Sequence, residues 1–246
     1  MCGERLSVGG VRFATTSAAR GSAGENLCHL CERARPAFQL AVAYGEYEGT
    51  LRALIHLLKY EHIPTVAGPL GRLLACTIAQ RQDLPPSLTV VAVPLHGSKQ
   101  RERGFNQTVL LAESTARSLR RQRPDLELQV AYEAMGRQRA TETQAGLNPH
   151  QRRRNLRGAF FVRQPEKVAG RAMLLLDDIY TTGATARECT RTLLGAGALS
   201  VHVATLARSQ REGVAFWDAV GAGSRMTVAP LPASEPATVS SFRNRD

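Results

Sequence analysis

Aromatic residues are scarce in this chain of 246 residues, at 5% with a single Trp, and lysine is scarcer still, at Lys59, Lys99 and Lys167 only. Few aromatics leave few platforms for stacking nucleobases, which argues against a surface that holds single strands by stacking alone. No apolar run is long enough to cross a bilayer. No basic segment followed by an apolar core stands near Met1, so no secretory signal is expected and a cytoplasmic location is the default. The G-x-x-x-x-G-K-[ST] loop of the P-loop nucleotide hydrolases is missing. Internal repeats are missing too.

What remains is a chain with 43% hydrophobic residues, enough for one large domain and a small appendage. The net charge of +11 is carried almost wholly by arginine. That balance suits phosphorylated ligands or nucleic acid, although a G- and C-rich genome would give the same bias. Of the five cysteines, Cys76 and Cys189 fall on apolar faces of expected helices and read as inert core residues. Cys28-His29-Leu30-Cys31 is a C-x-x-C without a thioredoxin-type strand–helix unit around it, so a metal role leads. Structural zinc normally takes four ligands, and Cys2, Cys28 and Cys31 supply three thiolates.

The informative stretch is Met173 to Thr185. Met173-Leu174-Leu175-Leu176 reads as a strand buried on both faces of a parallel sheet. Asp177 and Asp178 are expected where that strand leaves the sheet. The turn Thr181-Thr182-Gly183-Ala184-Thr185 follows, and then a helix with Ala186, Cys189, Leu193 and Leu194 on one face. A turn that becomes a helix presents unpaired N–H groups and the positive end of the helix dipole, which is a seat for phosphate. Gly183 permits close approach and the threonine hydroxyls add donors. Carboxylates repel phosphate but accept hydrogen bonds from sugar hydroxyls. A sugar held by its hydroxyls on one side and its phosphate on the other is a ribose 5-phosphate. The same acids could steady positive charge on the ring as a bond at the anomeric carbon loosens. A Walker B strand also ends in paired acids, but needs the P-loop this chain lacks. A capped helix after a buried strand requires less than this pattern contains.

Around that stretch the chain alternates strand and helix. Leu40–Tyr47 reads as a strand, Glu48–Tyr60 as a helix with Leu51, Leu54, Ile55 and Leu58 inward, and Thr65–Arg81 as a second helix. Thr89–Val93 is another buried strand. It runs into a loop rich in donors and cations, from Pro94 to Gln107, that includes His96, Gly97, Ser98, Lys99 and Arg103, although a lone histidine there is commonly just solvated. A helix continues to about Arg121. In an open α/β sheet the loops at the carboxyl ends of strands form the ligand crevice. One loop would take the sugar 5-phosphate and the other a pyrophosphate with its magnesium, which keeps several waters. Met135–Gly158, with six arginines, reads as a basic flap ending in a short helix near His150–Leu156, the competing reading being a solvated charge run. Strands are expected at Ala159–Val162 and Ser200–Leu206. The stretch from about Ser224 onward has the composition of a disordered tail.

Three blocks in this order resemble the ComF/GntX family: Val93-Pro94-Leu95-His96 with Arg103-Gly104-Phe105-Asn106-Gln107; Arg137, Arg139, Thr141, Gln144, Arg152, Asn155 and Gly158-Ala159-Phe160; and Asp177 to Thr185. The resemblance runs from about Leu40 to Arg208. It implies a type I phosphoribosyltransferase-like parallel sheet flanked by helices over residues 39–210. A small zinc-ribbon-like segment would occupy 1–38, with a tail over 211–246. It implies phosphoribosyl pyrophosphate (PRPP) or a related ligand, with magnesium, at Asp177, Asp178, Thr181–Thr185 and His96–Lys99, under the basic and flap residues Arg103, Arg137, Arg139, Arg152 and Asn155. Zinc would be held by Cys2, Cys28 and Cys31. Cys2-Gly3 matches the second half of the family's first C-x-x-C-G pair, so a start codon assigned too late is the expected explanation for the missing cysteine. Family members are linked to natural transformation, as cytoplasmic accessories to uptake of single-stranded DNA, and to use of DNA as a nutrient. A catalytic phosphoribosyltransferase of nucleotide metabolism, releasing pyrophosphate, is the alternative. A PRPP sensor whose flap orders on binding is a third reading.

Overall fold

A computed structural model describes residues 7–8, 11–12, 31, 35–61, 63–139 and 154–209. Two short strands, β1 (Ser7–Val8) and β2 (Val11–Arg12), pair antiparallel. The main sheet is built from β3 (Leu40–Glu46), β4 (Ser87–Ala92), β5 (Glu127–Val130), β8 (Ala172–Tyr180) and β9 (Ser200–Arg208). Its five strands lie in the order β3-β9-β8-β4-β5, and every pairing is parallel. Parallel neighbours need crossovers, and helices supply them: α1 (Gly49–Tyr60), α2 (Ala67–Ala79), α3 (Gly97–Arg103), α4 (Gln107–Gln122) and α5 (Ala184–Gly195). A separate antiparallel pair joins β6 (Met135–Arg137) to β7 (Phe160–Val162).

The chain leaves β4 toward one edge of the sheet and leaves β8 toward the other. Their junction is therefore the topological switch point, where loops diverge and leave a crevice. Register brings the two exits together: Ala92 pairs with Leu176, and the Val93 N–H donates to the Leu176 carbonyl at 2.9 Å.

Side chains alternate across a strand, and both faces of β8 are buried. Met173 and Leu175 join a cluster with Val91, Val203, Cys189 and Leu193, on the side covered by α5. Leu174 and Leu176 join Ile55, Leu58, Leu74, Leu111 and Leu119, on the side covered by α1, α2 and α4. Apolar spacing makes these helices: Leu51, Leu54, Ile55 and Leu58 in α1 follow the i, i+3, i+4, i+7 rule, with Ile55 and Leu58 fully buried.

Several expectations need correcting. Strand β8 continues to Tyr180, so the acids lie within its last turns of pleat and not beyond its end. The loop after β4 contains a helix, α3. Met135–Arg137 is a strand paired with β7 and not the start of the flap. The edge strand β5 was not anticipated; its four residues alternate too briefly to signal. Cys76 is exposed, because the inward face of α2 runs through Leu70, Leu74, Ala75 and Ile78. Cys189 is buried as expected. The flap core (residues 140–153, including Arg152), Cys2, Cys28 and the proposed tail lie outside the described residues. No helix among the described residues is long and apolar enough to cross a membrane.

Candidate functional site

Alternation decides where the two acids go. Asp177 continues the row of Met173 and Leu175, toward α5; Asp178 continues the row of Leu174 and Leu176, toward α1 and α4. Consecutive in sequence, they face opposite sides of the sheet.

Asp178 is 5% exposed, which corrects the expectation of an acid at a solvent-facing strand exit. Its Oδ1 meets Lys59 Nζ at 2.8 Å, and its Oδ2 accepts from Gln107 Nε2 at 3.1 Å. Lys59 is itself held mostly out of water. Burial pulls its pKa down, but the charge and hydrogen bond of Asp178, with Asp177 and Tyr60 behind, outweigh burial and leave it raised. A buried ion pair with both carboxylate oxygens used is a satisfied unit.

Asp177 is half-buried and its Oδ1 accepts from the Asp178 N–H at 2.8 Å. Burial, then the like charge of Asp178, push its carboxyl up to about 7, against the opposing pull of Lys59, the Asp178 N–H and Arg137. Cys189 lies near Asp177, and burial followed by that carboxylate drives its thiol well above the usual range. This cysteine is inert, as a thiol rather than a thiolate.

The turn beyond β8 is built for close approach. Gly183 caps α5 in the left-handed conformation at φ 72°, and a side chain there would run into the Tyr180 ring. That ring is buried, with the Arg208 guanidinium 5.1 Å from its centroid. Thr181 and Thr182 form the turn, while Ala184 and Thr185 already belong to the first turn of α5, which has no side-chain cap. Thr182 Oγ1 is buried without a hydrogen-bond partner among the described residues.

Across the switch point, His96 caps α3. Its Nδ1 accepts from the Ser98 N–H at 3.3 Å and lies 2.8 Å from Ser98 Oγ. Gly97, Ser98 and Lys99 form the first turn of α3. Burial, then Arg103 and Arg137, depress the pKa of Lys99, with Lys59 adding to the effect. Arg103 also lies 5.3 Å from the ring centroid of Tyr60. Lys99 thus sits in a group of cations with Arg103, Arg137 and Lys59, of which Lys59 and Arg137 also feel the charge of Asp177. Such a group is relieved by a polyanion.

Arg137 leaves β6 over the Phe160 ring, at 5.4 Å, and feels the Asp177 charge. Arg139 closes the root of the flap: its Nη2 donates to the Asn155 carbonyl at 2.7 Å and the Arg157 carbonyl at 3.2 Å. The Gly158 N–H donates to Glu188 on α5 at 2.6 Å. Cys31 is 1% exposed and packs in the cluster on the α5 side. Among the described residues no group of three His, Cys, Asp or Glu could hold a metal ion.

Sequence reasoning gave Lys59 no role and took Gln107 only as part of a family block, without its contact to Asp178. Both stand where apolar residues were due: Lys59 is four residues after buried Ile55, and Gln107 four before buried Leu111. A polar residue on a buried helical stripe was the available signal.

A parallel sheet flanked by helices, with a turn and helix after an acidic strand end and an appended antiparallel hairpin, defines a type I phosphoribosyltransferase fold. A family model described as phosphoribosyl transferase domain matches residues 106–222. The chain is 36% identical over 187 residues to DNA utilization protein YhgH of Escherichia coli (strain K12), covering 74% of this chain and 78% of that one. Competence protein F of Haemophilus influenzae is 30% identical over 186 residues, with coverage of 74% and 78%. Competence protein ComFC of Bacillus subtilis is 36% identical over 121 residues, or 49% of this chain and 44% of that one. The chain belongs to the ComF family.

Proposed function

We propose that this chain binds PRPP or a related phosphoribosyl ligand between the exits of β4 and β8, as an accessory to DNA uptake or to the use of extracellular DNA. The carrying observation is the group of cations around Lys99, of which Lys59 and Arg137 also act on Asp177, together with an α5 N-terminus without a side-chain cap. The 5-phosphate sits on the N–H groups and hydroxyls of Thr181–Thr185. Sugar hydroxyls donate to the acid cluster. The pyrophosphate, with magnesium that keeps much of its water, lies toward His96–Lys99 and Arg103. Arg137, Arg139 and Asn155 cover it, and Arg152 lies outside the described residues. Zinc, where present, is held by Cys2, Cys28 and Cys31, of which only Cys31 falls among the described residues. The DNA connection rests on the names of the relatives, DNA utilization protein and competence protein. Arginine-rich surfaces in the cytoplasm would touch single-stranded DNA through its phosphates.

Calorimetric titration with PRPP and magnesium, repeated with single-stranded DNA, tests this reading. A saturable PRPP isotherm supports it, and no heat of binding at millimolar PRPP ends it. One observation favours a second reading, a transferase that moves ribose 5-phosphate to a base or amine. Asp177, poised near neutrality, could take the acceptor's proton as the acceptor bonds to the anomeric carbon and pyrophosphate departs. Pyrophosphate release in a screen of bases and amines decides for it, and silence across the screen decides against it.

A further inference from the structure

The two acids are not equivalent, and a lysine outside the signature makes them so. We propose that Lys59 is a positioning residue of the cleft: together with Gln107 it occupies both oxygens of Asp178, so that Asp177 is the acid left to meet a hydroxylated ligand. The inference rests on the phosphoribosyl reading of the site for its ligand, but not for its electrostatics.

Geometry carries it. Asp178 has spent both oxygens, on Lys59 at 2.8 Å and Gln107 at 3.1 Å, and it is buried between helices α1 and α4. Nothing in that arrangement needs a ligand. Asp177 accepts the Asp178 N–H on one oxygen and is half-buried, where Asp178 is 5% exposed. The charge of Asp178 raises the Asp177 carboxyl and the charge of Lys59 opposes it, while Lys59 itself touches Asp178.

The remaining charged and titratable neighbours agree. Asp177 feels the charges of Asp178 in its own strand, Lys59 from α1 and Arg137 from β6, and acts on Cys189 of α5. Lys59 faces Asp178, Asp177 and Tyr60, and Lys99 from α3 lies within its influence. With Asp177 protonated, the Lys59–Asp178–Asp177 trio is neutral. A ribose hydroxyl must donate to an acceptor, and a protonated carboxyl accepts poorly. Ligand entry therefore favours the ionised Asp177 and releases its proton to solvent.

The test has two arms. In the first, the ligand-free protein carries carbon-13 at the aspartate carboxyl carbons, and Asp177→Asn assigns the resonance. The parent should show one carboxyl titrating near neutrality. Lys59→Met should move that titration up by about one pH unit or more, since a cation is lost. Lys59→Arg should restore it, and the double variant Lys59→Met, Asp178→Asn should bring it down again, because the like charge has gone as well. One unmoved titration through all these variants overturns the proposal. Should Lys59→Met fail to fold, Asp178→Asn alone, which removes the like charge and keeps the cation, should bring the titration down, and an unmoved titration there overturns the proposal.

In the second arm, PRPP with magnesium is titrated calorimetrically into each variant. Lys59→Met should weaken binding about ten- to a hundredfold, as displaced site groups do, with Lys59→Arg recovering most of it. Equal affinity in parent and Lys59→Met overturns the positioning role. If the carboxyl titrations move as stated but the parent binds no PRPP, the phosphoribosyl reading falls while the role of Lys59 stands.

Discussion

Replacing Asp177 by Asn probes the cleft with no ligand present. Folding raises this carboxyl from 3.8 to about 7, first by burial and next by the charge of Asp178. Between those two values the folded protein holds a proton that the unfolded chain has lost, so stability falls as pH rises. The contribution is intact at acid pH and is lost as pH climbs through about 7. A rise of roughly 3 pH units, at about 1.36 kcal/mol each, sets an upper figure of about 4 kcal/mol. About 2 to 3 kcal/mol of it falls between about pH 5 and about pH 8. Asn has no charge to desolvate, and its Oδ1 can still accept the Asp178 N–H, a bond of 2.8 Å in the parent. Relative to the parent, Asp177→Asn should therefore gain that 2 to 3 kcal/mol on going from acid to alkaline solution, by about the slope stated. Urea denaturation of both proteins at several pH values measures the difference directly. Parallel stability profiles, or a variant that loses ground as pH rises, would refute the argument, because either requires Asp177 to be comfortably ionised in the fold.

Affinity for PRPP with magnesium should rise with pH through about 7, the direction set by an acid that must lose its proton to accept hydroxyls. Calorimetry in buffers of different ionisation enthalpy should show a proton released on binding, and the release contributed by the protein should vanish in Asp177→Asn. Gly183→Ala should cost about 1 to 3 kcal/mol, from φ 72° and the Tyr180 ring together, and weaken phosphate binding; an unchanged melting temperature would contradict it. Arg139→Ala should speed amide exchange at 154–158 while changing global stability by less than about 1 kcal/mol, since the side chain is exposed. Affinity for single-stranded DNA should fall steeply with salt, by about 0.7 in log K per log unit of salt for each phosphate neutralised, and a salt-independent affinity would exclude an arginine–phosphate interface.

The strands and helices flanking the site were legible because their apolar periods were unambiguous: Leu51 to Leu58 could only be a buried helical stripe, and Met173 to Leu176 a strand covered on both faces. The location of the phosphate turn was legible from Gly183 and its threonines, since a left-handed residue ahead of a helix asks for glycine. The behaviour of the acids was not. Read as a pair in a loop, Asp177 and Asp178 look interchangeable; once the strand is known to run through them, pleat alone sends them to opposite faces. Nor did local pattern disclose that Lys59, more than a hundred residues earlier, is the partner of Asp178. Such a contact depends on which helix covers which face, and that is settled by the order of strands in the sheet. Helix α3 was hidden for a different reason: its polar stretch Gly97–Arg103 has no apolar stripe, and it exists as a short turn capped by His96.

The hydrogen bond from Gly158 to Glu188 ties the returning leg of the basic hairpin to the same helix whose first turn would grip the phosphate. Glu188 is also braced by Arg191, at 2.6 Å, so the tie is stiff. The root of the hairpin and the turn after β8 are thereby fastened to one helix.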